Sequence, residues 1–174
     1  VWAMPLAPRP SQPRYISVLP EPLNPDGTPK TAQFFIQNVY ESWPFDIPEK
    51  IKSLRVVQIL PKTTPHANTP KVGQAFASPG KQILGTVPVE EDGSAQFAVP
   101  ARIPFLLQAL GEDGRMVEGM RSLIYAQPGE TVSCAGCHED RIAAVPATPT
   151  ATIASRQTEP QNLIPAPSGS KPFS

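Results

Sequence analysis

Proline limits what this chain can fold into more than any other residue. It occupies 24 of 174 positions, against a usual share of about 5%, and it crowds the two ends. Because proline lacks an amide hydrogen and fixes φ, neither end can supply a long helix or a central strand. The distribution predicts an extended N-terminal arm over 1–30, a compact centre over 31–142, and a proline-rich C-terminal arm over 143–174. The length suits a single folded domain.

Within the centre, short apolar runs recur between turn signals. Strands are expected over 33–40, 51–60, 82–89, 95–99, 105–110, 115–120 and 123–125, each rich in β-branched or aromatic residues or alternating in polarity. Residues 14–19 form one more strand-like island inside the N-terminal arm. The turns are marked by Glu91-Asp92-Gly93-Ser94 and Glu112-Asp113-Gly114, since Asp-Gly readily adopts the positive φ that tight turns need. A long loop is expected over 61–80. Short strands at this spacing, without helical periodicity, predict a mainly β fold: an antiparallel β-sandwich.

The chemistry is concentrated at Cys134-Ala135-Gly136-Cys137-His138. Two thiols three positions apart can each add to one vinyl group of a haem, and the histidine after the second can ligate its iron. One covalent heme c is therefore expected, with Cys134 and Cys137 as anchors and His138 as the proximal ligand. Zinc held by Cys134, Cys137, His138 and His66 is a weaker alternative. A Cys134–Cys137 disulfide or redox pair is another, although such a pair needs no following histidine.

The second iron ligand stays open at this point. His66 would close a bis-histidine site of lower potential, whereas Met116 or Met120 would give a histidine–methionine site of higher potential. With neither, the iron would be five-coordinate. Tyr125, Arg121 and Arg102 are candidates for contact with the haem propionates, Arg102 the weakest of them. Glu139 and Asp140 would favour the oxidised iron by charge.

The segments Leu84-Gly85-Thr86-Val87-Pro88-Val89-Glu90-Glu91-Asp92-Gly93-Ser94-Ala95, Val99-Pro100-Ala101, Gln108-Ala109-Leu110, Met120-Arg121-Ser122 and Pro128-Gly129-Glu130 precede the haem motif. Together with Leu54-Arg55-Val56-Val57 and Pro61-Lys62, they resemble the haem-bearing middle domain of hydrazine synthase alpha-subunit-like proteins, over about 50–140. The resemblance implies a sandwich of the transthyretin or carboxypeptidase-regulatory kind, with a c-haem at its C-terminal edge, in a periplasmic or other extracytoplasmic multi-protein complex. In the synthase a tyrosine shortly after the motif takes part in iron ligation, whereas Glu139, Asp140, Arg141 and Ile142 stand here. The resemblance therefore does not imply hydrazine synthesis.

Charge and hydropathy set the remaining expectations. Fifteen basic and fifteen acidic residues balance, which is unlike a nucleic-acid-binding surface. No run reaches the roughly 20 apolar residues of a membrane span, and the first residues lack the layout of a secretory signal. Because c-haem is attached outside the cytoplasm, position 1 is read as following a removed leader or an upstream domain. The leading expectation is a monohaem electron-transfer subunit that uses its arms to dock onto other subunits. A catalytic five-coordinate haem subunit is the first alternative, and a structural or binding accessory the second.

Overall fold

A computed structural model describes residues 22–66, 68–75, 78–140, 142 and 151–165. The strand-like island at 14–19 lies outside these residues. Seven strands form: β1 (Ala32–Ile36), β2 (Ser53–Ile59), β3 (Lys81–Pro88), β4 (Ala95–Val99), β5 (Phe105–Leu110), β6 (Met116–Gly119) and β7 (Thr131–Cys134), with one 3-10 turn at Ala154–Arg156. They make two sheets, ordered β4-β1-β7 and β3-β2-β5-β6.

Alternation explains why these segments are strands. In β1, Ala32, Phe34 and Ile36 are buried while Gln33 and Phe35 are half-exposed, and β4 repeats the pattern with Ala95, Phe97 and Val99. Successive side chains of a strand point to opposite faces, so one face of each strand enters the core. Phe34 lies opposite Phe97 in the register, and their rings stack with centroids 5.9 Å apart. Across the core, Phe105 of the other sheet meets Phe34 edge-on at 5.0 Å. This aromatic trio, fully buried, joins the two sheets through the edge and stacked geometries that ring quadrupoles favour.

Among its seven strands the sandwich departs from an all-antiparallel arrangement at one pairing. β7 runs parallel to β1, pairing Gln33 with Thr131 through to Ile36 with Cys134, so the first sheet is mixed. The last strand reaches β1 only after the chain has built the rest of both sheets, and it arrives in the same direction. The expected strand at 123–125 reduces to a single bridge between Ile124 and Phe105. The run 33–40 stops at Ile36, because Asn38 turns the chain by accepting the Tyr40 amide on its side-chain oxygen at 3.0 Å. Both Asp-Gly turns form: Gly93 and Gly114 have φ of 81° and 77°, and Asp92 and Asp113 accept the amides of Ser94 and Arg115.

Part of the segment read as a C-terminal arm lies on this domain's own sheets. Gln161 exchanges backbone hydrogen bonds with Gln96 and Ala98 of β4, and Ile164 with Thr86 of β3. One short segment thus caps the neighbouring edges of both sheets, meeting the need to protect unpaired strands. Gly85 permits it, since a Cβ there would sit 2.6 Å from the Ile164 carbonyl oxygen and 2.9 Å from Leu163. The opposite edges, β6 and β7, have no such strap among the described residues, and the site lies there.

Candidate functional site: a cleft at the open edge of the sandwich

Cys134 ends β7, and the chain then loops through Ala135, Gly136 and Cys137 to His138. Backbone hydrogen bonds fasten this loop to the β1–β2 connection: the amides of Gln37 and Asn38 donate to the carbonyls of Cys134 and Ala135, Cys137 donates to Glu41, and Trp43 donates to His138. The Glu139 carboxylate accepts the Ala135 amide at 2.8 Å. Gly136 lies against the Glu41 backbone so closely that a Cβ would approach the Glu41 Cβ to 2.7 Å. No larger residue fits that position without moving one of the two segments.

The loop forms one wall of a cavity of about 250 Å³ that penetrates between the sheets. Ile36, Leu54, Leu107 and Ala109 line its interior, and Cys134, Cys137, His138, Glu118 and Met120 stand around it. A wider hollow of about 780 Å³ adjoins it, sharing Glu118, Met120, Cys137, His138 and Glu139 and adding Trp43, Pro44, Phe45, Arg121, Ser122 and Ile142. Cys134 and Cys137 are free thiols packed against the core. Burial raises both thiol pKa values, helped by Glu139 at Cys134 and by Glu118 at Cys137, which reaches about 11. Since the thiolate is the species that attacks disulfides, a protonated pair of this kind is ill suited to thiol exchange. His138 Nε2 lies 3.4 Å from Glu118 Oε1, a long contact beside the usual 2.7–3.2 Å.

The sequence candidates fall into three groups. Cys134, Cys137, His138 and Met120 converge on the cleft, and Arg121 lines its outer part. Tyr125 is exposed and lines neither hollow, as is Met116 at the start of β6. His66 is exposed in the long loop, which lines neither hollow in its described residues. Among the described residues no group of three or more His, Cys, Asp or Glu is arranged to hold a metal ion, so the four-ligand zinc set is not assembled. Glu118, Trp43, Phe45 and the four apolar residues of the interior were not expected from sequence. They reach the cleft from separate strands and a distant loop, and only the fold brings them together.

The residues present fit a c-type haem. Two unpaired thiols and an imidazole border an apolar cavity whose wider outer hollow falls within the roughly 300–1,000 Å³ of cofactor sites.

The family of the hydrazine synthase alpha subunit middle domain matches residues 49–139, more than half of the chain. The chain belongs to the hydrazine synthase alpha middle-domain family. The match coincides with the stretch that carried the resemblance in the sequence, and it encloses β2 to β7 and the whole of the motif. It leaves out β1, the loop bearing Trp43 and Phe45, and the strap at 151–165. Among solved structures, hydrazine synthase from Kuenenia stuttgartiensis is similar, with a TM-score of 0.53 at 21% identity, over 63% of this chain and 17% of that one. The likeness extends the family assignment to a shared fold. No curated protein matches the chain.

Proposed function

We propose that this middle-domain relative is a monohaem c-type cytochrome module that passes electrons within a larger extracytoplasmic assembly. The observation that carries the reading is the convergence of Cys134, Cys137 and His138 on one apolar cleft. Cys134 and Cys137 would hold the porphyrin through thioethers, and His138 would ligate its iron. A haem so held supplies a one-electron couple. The apolar interior from Ile36, Leu54, Leu107 and Ala109 would exclude water, and Arg121 on the outer hollow would pair with propionates. Placement in a multi-subunit complex follows from the family, whose named member is a synthase subunit. The synthase's reaction is not carried over, because a shared fold does not transfer a reaction.

Of the three candidates for the second ligand, Met120 is the one on the cleft, and we assign it that role. The reduced wild-type chain then gives a six-coordinate low-spin spectrum. Met120→Ala keeps its covalent haem but becomes high-spin and binds carbon monoxide. Carbon monoxide binding by the wild type at once, with a high-spin spectrum, would instead favour the catalytic alternative. Attachment itself is tested with Cys137→Ala after expression with a c-haem maturation system in an oxidising compartment. Haem stain on a denaturing gel should drop to a small residue, and undiminished stain would refute the assignment.

A further inference from the structure

We propose that Trp43, Pro44 and Phe45, in the connection between β1 and β2, form the cover that shields the outer part of the porphyrin. The inference rests on the haem reading above and concerns residues outside the family match. Trp43 is 57% exposed and Phe45 80%. Single exposed apolar residues are ordinary, but these two flank a proline and share one hollow with Ile142. An apolar patch of this kind marks a surface that something covers.

The occupant follows from continuity and size. The inner cavity of about 250 Å³ is smaller than the usual range for cofactor sites, so a group anchored at Cys134 and Cys137 must extend outward. The direction open to it is the adjoining hollow of about 780 Å³, which begins at Cys137 and His138 and is walled by Trp43, Pro44 and Phe45. Arg121 on the same hollow suits a ligand that is apolar in its body and carries carboxylates. The cover is also fixed to the ligand side, because the Trp43 amide donates to the His138 carbonyl at 3.2 Å and the Cys137 amide to the Glu41 carbonyl at 3.0 Å. Moving the cover therefore moves the histidine loop, which suits a permanent wall better than a swinging gate.

Hydroxyl-radical footprinting read by mass spectrometry tests this on the full chain. Haem-bearing chain matured in the periplasm is compared with haem-free chain made in the cytoplasm, both checked for native β circular dichroism. Trp43 and Phe45 should be modified several-fold more slowly with haem present, while Tyr125, exposed but outside the cleft, keeps its rate. The paired variant Trp43→Ala/Phe45→Ala should retain covalent haem yet lose it to peroxide bleaching several-fold faster than wild type. Unchanged Trp43 and Phe45 modification in a chain that carries haem overturns this proposal alone, and would point to a protein partner on the patch. A chain that matures without haem overturns the reading of the preceding section and this one with it.

Discussion

Gly136 carries no side chain, and the motif loop depends on that. A methyl group there would meet the Glu41 backbone, with the Glu41 carbonyl carbon at 2.8 Å, and overpacking of this sort costs about 1–3 kcal/mol. Gly136→Ala should lower the midpoint of urea unfolding accordingly and reduce haem attachment, since both cysteines sit on the loop that must shift. Asp92 acts at a distance from the site. Partial burial pushes its carboxyl up, but hydrogen bonds from the Ser94 hydroxyl and from the Ile153 and Ser94 amides outweigh this and hold it below its ordinary value. A carboxyl depressed in the folded state adds stability above its unfolded pKa and loses it as pH falls through the folded value. The affected window therefore lies below about pH 4. Asp92→Ala should destabilise by about 1 kcal/mol at neutral pH, discounted for its exposure. Asp92→Asn keeps an acceptor but cannot ionise, so its acid unfolding curve should be flatter than wild type, and an unchanged acid limb would contradict the assignment. At this scale the sequence singled out Cys134, Cys137 and His138, and the three do line one cleft. Glu118 was not singled out, since nothing in Met116-Val117-Glu118-Gly119 announces that its third residue faces a histidine twenty positions later.

The strands divide by how much of their own pattern they carry. β4 alternates throughout and β5 up to its last residue, both stand between turn signals, and 95–99 and 105–110 were readable to the residue. β7 was hidden because Thr-Val-Ser-Cys holds one partly buried apolar residue, Val132, besides the cysteine. Its stability comes from pairing with β1, a partner about a hundred residues earlier in the chain. The strap was hidden for a related reason: its Ala, Thr, Pro and Ser composition resembles an unfolded tail, and its anchors are few. Ile153 donates to Asp92 at 2.7 Å, Ala154 to the Ser94 hydroxyl at 3.0 Å, and the Gln157 and Gln161 amides both reach Glu90 at 2.7 and 3.0 Å. Leu163 packs against the core. Removing residues 151–174 should therefore cost roughly 3 kcal/mol through lost hydrogen bonds and apolar burial. It should also expose the β3 and β4 edges, raising the light-scattering signal on storage. A truncated chain as stable and as monodisperse as the full one would show that the strap contributes nothing.

Among the described residues, the sandwich has one edge strapped shut and the opposite edge without a strap, and the motif loop stands at that unstrapped edge. That placement suits the proposed haem, because a large apolar cofactor needs a wall of core residues on one side and an entrance on the other. Composition and turn spacing disclosed the two-sheet class, and the motif is what the proposed haem chemistry rests on. Which core residues line the cleft depended on strand order, which no local signal encodes. The central claim is that Cys134 and Cys137 hold a haem in this cleft. The intact mass of the full chain, expressed with c-haem maturation in an oxidising compartment, tests it directly. The account predicts a mass greater than the polypeptide by one haem, retained through acid and organic solvent. The mass of the bare polypeptide, or one lighter by the hydrogens lost to a cystine, would contradict it.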